Sequence, residues 1–241
     1  MYSTRYLETT GVTYLLRDWL TQRVNAEALI WLDEKRELIS SGANLRVFFT
    51  AFSLVPSYTG KQNLELAPQD LQAASTLRKN WFPGHWTVDQ AARTLLVLAL
   101  PKDSPEKYLH TLDQVFTTAD IGELVALYQA LPLLPEPERL QKRAAEGVRS
   151  NMTAVFNAIA LRNPYPAEYF DNLAWNQMVL KALFVGSPLL IYGLDARMNP
   201  ELLRMLLDYA DERKAASRPV SLELWRLVEI GGGDLETWRN N

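Results

Sequence analysis

The 241-residue chain has no cysteine, which excludes disulfide frameworks, thiolate nucleophiles and cysteine-ligated zinc or iron–sulfur sites. Only two histidines occur, His85 and His110, too far apart in the chain to suggest a His-rich metal site. Phosphate-binding signatures are missing as well: there is no Gly-x-x-x-x-Gly-Lys-Ser/Thr loop and no Gly-x-Gly-x-x-Gly after a strand. A His-Glu-x-x-His zinc helix and a Gly-x-Ser-x-Gly elbow are equally absent. Neither sign of charge dominates. Twenty-five basic and 28 acidic residues leave a formal charge of -3, which argues against a nucleic-acid partner. No apolar run reaches the ~18 residues a membrane helix needs, and the N-terminal residues lack the basic and apolar regions of a signal peptide. A cytoplasmic protein that is not transmembrane, with no cofactor and no catalytic or metal motif, is the expectation.

What the chain does have is apolar residues, 48% of the total, and they recur at helical spacing. Val12, Leu15, Leu16, Trp19 and Leu20 share one side of a first helix. Asn25 caps a second, and Pro56 is expected to end an aromatic-rich third containing Phe48, Phe49 and Phe52. Trp81-Phe82-Pro83-Gly84-His85-Trp86 reads as a loop, either lining a pocket or packing its aromatics onto the core. Thr87, Ser104, Asp120 with Glu123, Asn199 and Ser221 are further cap signals. Period-two alternation is nowhere convincing, so no significant sheet is expected.

The helix ends carry a regularity. Leu98-Ala99-Leu100-Pro101, Gln129-Ala130-Leu131-Pro132 and Ala160-Leu161-Arg162-Asn163-Pro164 place prolines 31 and 32 residues apart (132 − 101 and 164 − 132), with two helices predicted in each interval. The expected fold is therefore all-α: roughly ten to twelve helices in a helical-hairpin stack that resembles an α-solenoid of the HEAT or armadillo kind. Residues 1–230 are expected to form a single domain, and residues 231–241, opening with Gly231-Gly232-Gly233, a flexible tail.

One stretch carries an unusual mixture. After the double-proline break Asn163-Pro164-Tyr165-Pro166, a helix over residues 169–184 is apolar on nearly every face, so it is expected to be buried. Asn176, Gln177 and Lys181 interrupt it, and buried amides and ammonium groups require partners. Asn172 and Asn176 lie one turn apart, with Lys181 about another turn on. Together with Tyr165, Arg197, Arg213 and Arg218 they form the candidate ligand-binding set. The alternative is structural, with Asn176 and Gln177 capping neighbouring helix ends and Lys181 paired with a carboxylate such as Asp195 or Glu212.

The same stretch supports a resemblance. Asn163-Pro164-Tyr165-Pro166, Trp175-Asn176-Gln177-Met178-Val179-Leu180-Lys181, Gly193-Leu194-Asp195-Ala196-Arg197, Asp208-Tyr209-Ala210-Asp211-Glu212-Arg213 and Leu224-Trp225-Arg226 resemble the EboA family of metabolite-traffic proteins. The resemblance concentrates on residues 150–229, with residues 1–150 as a variable N-terminal part. It implies a gene cluster encoding a UbiA-like prenyltransferase, a TatD-like hydrolase, a sugar-phosphate-cyclase-like protein and a xylose-isomerase-like barrel, associated with making or exporting secondary metabolites. It also implies Trp and Gly where this chain has Lys214 and Ser217. The expected function is that of a non-catalytic helper in biosynthesis or trafficking of a secondary metabolite, as a small-molecule-binding or scaffold protein for products of that cluster. An enzyme with Lys181 as base or electrostatic stabiliser is the alternative, and a pure protein-docking module the second alternative.

Overall fold

The computed structural model describes residues 2–233, with side-chain surroundings from residue 10 onward. Thirteen α-helices occur in this range: α1 (Tyr2–Thr21), α2 (Ala26–Ser40), α3 (Leu45–Thr59), α4 (Pro68–Leu77), α5 (Val88–Leu98), α6 (Pro105–Thr118), α7 (Ile121–Ala130), α8 (Gln141–Arg149), α9 (Thr153–Ala160), α10 (Tyr165–Tyr169), α11 (Asn172–Val185), α12 (Pro200–Ala215) and α13 (Leu222–Ile230). Two 3-10 turns, Leu131–Leu133 and Pro137–Leu140, precede α8. Among the described residues there is no strand, only an isolated antiparallel bridge between Asn63 and Thr87. The protein is all-α, and its helix packing is compatible with a helical stack. None of the described helices is long and apolar enough to cross a membrane.

Helix starts fall where the cap residues put them. Asn25, Ser104, Asp120, Asn199 and Ser221 each accept a hydrogen bond from a backbone N–H of the first turn, filling donors that a helix leaves open. Asp120 and Glu123 bond each other's backbone N–H groups, at 2.7 Å and 2.9 Å, and Glu123 Oε1 accepts from the Ser53 hydroxyl at 2.7 Å. The proline spacing also has its counterpart: α6 and α7 fill the interval from Pro101 to Pro132, and α8 and α9 the interval from Pro132 to Pro164. Pro56 departs from expectation. It lies inside α3, which continues to Thr59 and stops at Gly60.

The chain divides into two compact units, Met1–Ile159 and Ala160–Asn241. In the first, α5 packs against α1, α2, α3 and α7. Every α5 residue except Gln90 is buried, including Asp89 and Arg93. Their ion pair spans 2.7 Å, and Asp89 also accepts from the Thr87 hydroxyl. The helix buried on all sides is thus α5, and not the carboxy-terminal helix to which sequence patterning assigned that role. The loop after α4 packs inward: Trp81 and Trp86 are buried, with ring centroids 6.0 Å apart and Trp19 5.7 Å from Trp81. His85 and His110 are exposed.

In the second unit, α11 packs on α12 and α12 on α13. Backbone N–H groups of Gly232 and Gly233 bond carbonyls of Glu229 and Val228, so these glycines close α13. They are among the first residues of the tail expected over 231–241, and its remainder, residues 234–241, lies outside the described residues.

Candidate functional site

The motif residues of the second unit meet around Arg197. Asn163 builds the approach: its Oδ1 accepts from the backbone N–H of Tyr165 at 3.0 Å, a local turn that starts the short α10. Tyr165 is fully buried, with its ring 4.8 Å from Tyr169 and edge-on to Phe170 at 6.2 Å. It is a core residue in this geometry.

Past α11 the chain returns through Gly193, whose φ of +80° favours glycine. A Cβ at Gly193 would also stand 3.0 Å from that of Ala167, so side chains are disfavoured there twice over. The Arg197 N–H then bonds the Gly193 carbonyl at 2.9 Å, which turns the arginine side chain back onto α10 and α11. Its Nη1 donates to the carbonyls of Pro166 and Ala167, at 2.9 Å and 3.3 Å, and its Nη2 to Asn172 Oδ1 at 3.2 Å. The guanidinium lies 4.7 Å from the centroid of Trp175, a fully buried ring. Burial lowers the Arg197 pKa, and the charge of Asp171 opposes that shift.

One turn along α11, Asn176 is buried and pairs reciprocally with Asn199. Asn176 Nδ2 donates to Asn199 Oδ1 at 3.1 Å, and Asn199 Nδ2 donates to Asn176 Oδ1 at 2.9 Å. Asn199 Oδ1 also accepts from Leu202 N, and its Nδ2 donates to the Arg197 carbonyl. Two donors and two acceptors are the capacity of a carboxamide, so Asn199 is saturated. Sequence reasoning missed Asn199 as a site residue because its Asn-Pro signal reads locally as a helix start. Its partnership with Asn176 spans 23 residues and has no local sequence mark.

The other candidates stand apart. Gln177 is exposed and Lys181 half-buried, with burial lowering the lysine pKa. Leu173 and Phe184 are 66% and 73% exposed, so α11 presents an open outer side and is not enclosed as expected. Arg213 braces the α12–α13 connection by donating from Nε and Nη2 to the Pro219 carbonyl, at 3.1 Å and 2.9 Å. Arg218 is exposed, and its backbone N–H bonds the Arg213 carbonyl at 2.8 Å. Among the described residues no cluster of three or more His, Cys, Asp or Glu is positioned to hold a metal ion.

These features define an all-helical protein whose carboxy-terminal motifs interlock its own α10, α11 and α12. The sequence matches the family model of the metabolite traffic protein EboA over residues 12–229, and the chain belongs to that family. The match reaches through the first unit as well as the stretch in which the resemblance was concentrated. In comparisons with curated proteins and with solved structures, nothing matches significantly.

Proposed function

We propose that this protein is a non-catalytic helper in the traffic of a secondary metabolite, binding or handing on a molecule that other proteins of its gene cluster make. Family membership supports the traffic role. The observation that carries the non-catalytic part is the use of the motif side chains: Arg197 and Arg213 donate to backbone carbonyls, Asn172 accepts from Arg197, and Asn176 exchanges hydrogen bonds with Asn199. Groups held this way position helices. A group that acts on substrate needs a free face toward it.

Deleting the gene in its native host and analysing cells and medium tests this reading. A traffic helper leaves the same metabolite behind, reduced or held in the wrong compartment. Accumulation of an unconverted precursor of different structure would sink the reading and favour an enzyme.

That enzymatic reading has one observation of its own, the half-buried Lys181 with its lowered pKa, which suits a base or electrostatic stabiliser. Lys181→Met would then abolish product formation while the protein stays folded. A docking role for the outer side of α11, with Leu173, Gln177 and Phe184, is the third reading. The UbiA-like prenyltransferase, TatD-like hydrolase and xylose-isomerase-like barrel of the cluster are its proposed partners.

A further inference from the structure

The first unit carries a groove between α1 and α4, with a volume of about 550 Å3. Its lining is Gly11, Tyr14 and Leu15 from α1, with Gln69, Gln72, Ala73, Thr76 and Leu77 from α4. None of these eight residues is charged, in a chain in which 22% of residues are. The wall is mostly aliphatic and aromatic, and its polar groups are neutral carboxamides and hydroxyls.

Two details give the groove its shape. Gly11 sits mid-way along a helix, where glycine costs roughly 1 kcal/mol relative to alanine. A Cβ there would lie 2.9 Å and 3.1 Å from the two terminal methyls of Leu77, so the glycine lets α4 close against α1 and form the groove floor. Tyr14 is the second detail. Its side chain is 70% exposed at the rim, an aromatic face open to another ring.

We infer that this groove is a binding site for a neutral, planar aromatic molecule of drug-like size, carrying hydrogen-bonding groups at its edge. The groove is open and not enclosed, so a bound molecule keeps one face toward solvent. Among the described lining residues an ionic ligand would meet no countercharge, and it would give up hydration there without return. An aromatic one stacks on Tyr14 and covers Leu15, Ala73 and Leu77, while Gln69 and Gln72 reach its polar edge. That this molecule is the metabolite being moved rests on the traffic reading above; that the groove binds such molecules does not.

Titration of the purified full-length protein with Nile red, a neutral aromatic dye, tests the inference. Saturable binding of one dye per chain with a blue-shifted emission is expected. Ala73→Trp, which fills the groove from an accessible position, should weaken it roughly tenfold or more, a loss equivalent to one well-buried ring. Tyr14→Ala removes an exposed ring without disturbing the core, and should weaken binding several-fold even if the tryptophan variant does not fold. Phe184→Ala, on the outer side of α11, should leave it unchanged. Absence of saturable binding, equal affinity in wild type and Tyr14→Ala, loss of binding in Phe184→Ala, or tighter binding of the anionic dye anilinonaphthalene sulfonate would each overturn the inference. These outcomes are independent of the host metabolite experiment, so either proposal can fail alone.

Discussion

Arg93 on α5 donates from Nε to the backbone carbonyl of Phe52 on α3, at 3.2 Å. Phe52 lies four residues before Pro56, and a proline has no N–H to give that carbonyl. The arginine therefore supplies from another helix the bond that α3 cannot make within itself. The same guanidinium holds buried Asp89 and lies 5.6 Å from the Phe52 ring centroid. Arg93→Met leaves an unpaired buried carboxylate and an unsatisfied carbonyl, with an expected cost of about 3–5 kcal/mol in urea unfolding. In a Pro56→Ala background the cost should shrink by about 1 kcal/mol, because an N–H at position 56 can take the Phe52 carbonyl. Strict additivity of the two substitutions would refute the link.

Pro56 also shows where sequence patterning reaches its limit. A proline predicts a helix end because it removes a bond and crowds the preceding turn, yet both effects are tolerable when another helix supplies a donor. That donor lies 41 residues away. Cap residues were legible because their bonds close within three residues, as at Asn25, Asp120 and Ser221. The paired helices between Pro101, Pro132 and Pro164 were legible for the same local reason. Burial of α11 was not: Leu173 and Phe184 fit the apolar pattern and stand exposed, since periodicity states which residues share a face and not what covers it. At the candidate site, Tyr165, Asn172, Asn176 and Arg197 were singled out by residue type, while Asn199 is found only through its contact with Asn176.

Because Asn199 is saturated by four bonds, its two routes of loss should differ from those of its partner. Asn199→Ala removes the α12 cap and strands the Asn176 amide, and should cost about 2–3 kcal/mol. Arg197→Lys keeps the charge but not the planar fork or its stacking on Trp175, and should cost about 1–3 kcal/mol. Hydrogen exchange on the intact protein is the sharper check: protection should fall first in α10 and the start of α12. Uniform loss across both units would show that the residues do not act as a local clasp.

Ser217 stands at the end of α12 with φ +53°, in the left-handed region, and the following N–H of Arg218 closes the turn onto Arg213. A residue there favours glycine, the type the family resemblance implies at this position. Lys214, in place of the implied tryptophan, lies 5.6 Å from the Trp225 ring centroid. Ser217→Gly is expected to raise stability by a few tenths to about 1 kcal/mol, through relief of backbone strain. Thermal unfolding of the single variant measures it, and a lowered midpoint would contradict the account.

Tyr128 on α7 gives the fold a defined response to alkali. Burial pushes its phenol up from an ordinary value near 10 to about 12, with Arg143 pulling it down and Glu146 raising it further. Between these two values the folded protein keeps a proton that the unfolded chain has lost. Unfolding then releases a proton, so this contribution is complete below about pH 10 and disappears as pH rises through about 12. Tyr108 is shifted in the same direction, chiefly by burial, and its hydroxyl has no hydrogen-bond partner among the described residues. Tyr108→Phe should therefore be close to neutral at pH 7, since it removes a buried group that forms no bond. Tyr128→Phe should lose about 1 kcal/mol at pH 7 with its hydroxyl bond to the Arg143 carbonyl, yet show a shallower fall in stability above pH 10 than wild type. Urea midpoints at a series of alkaline pH values, read beside tyrosinate absorbance, decide the point: identical slopes would show that Tyr128 ionises alike in both states.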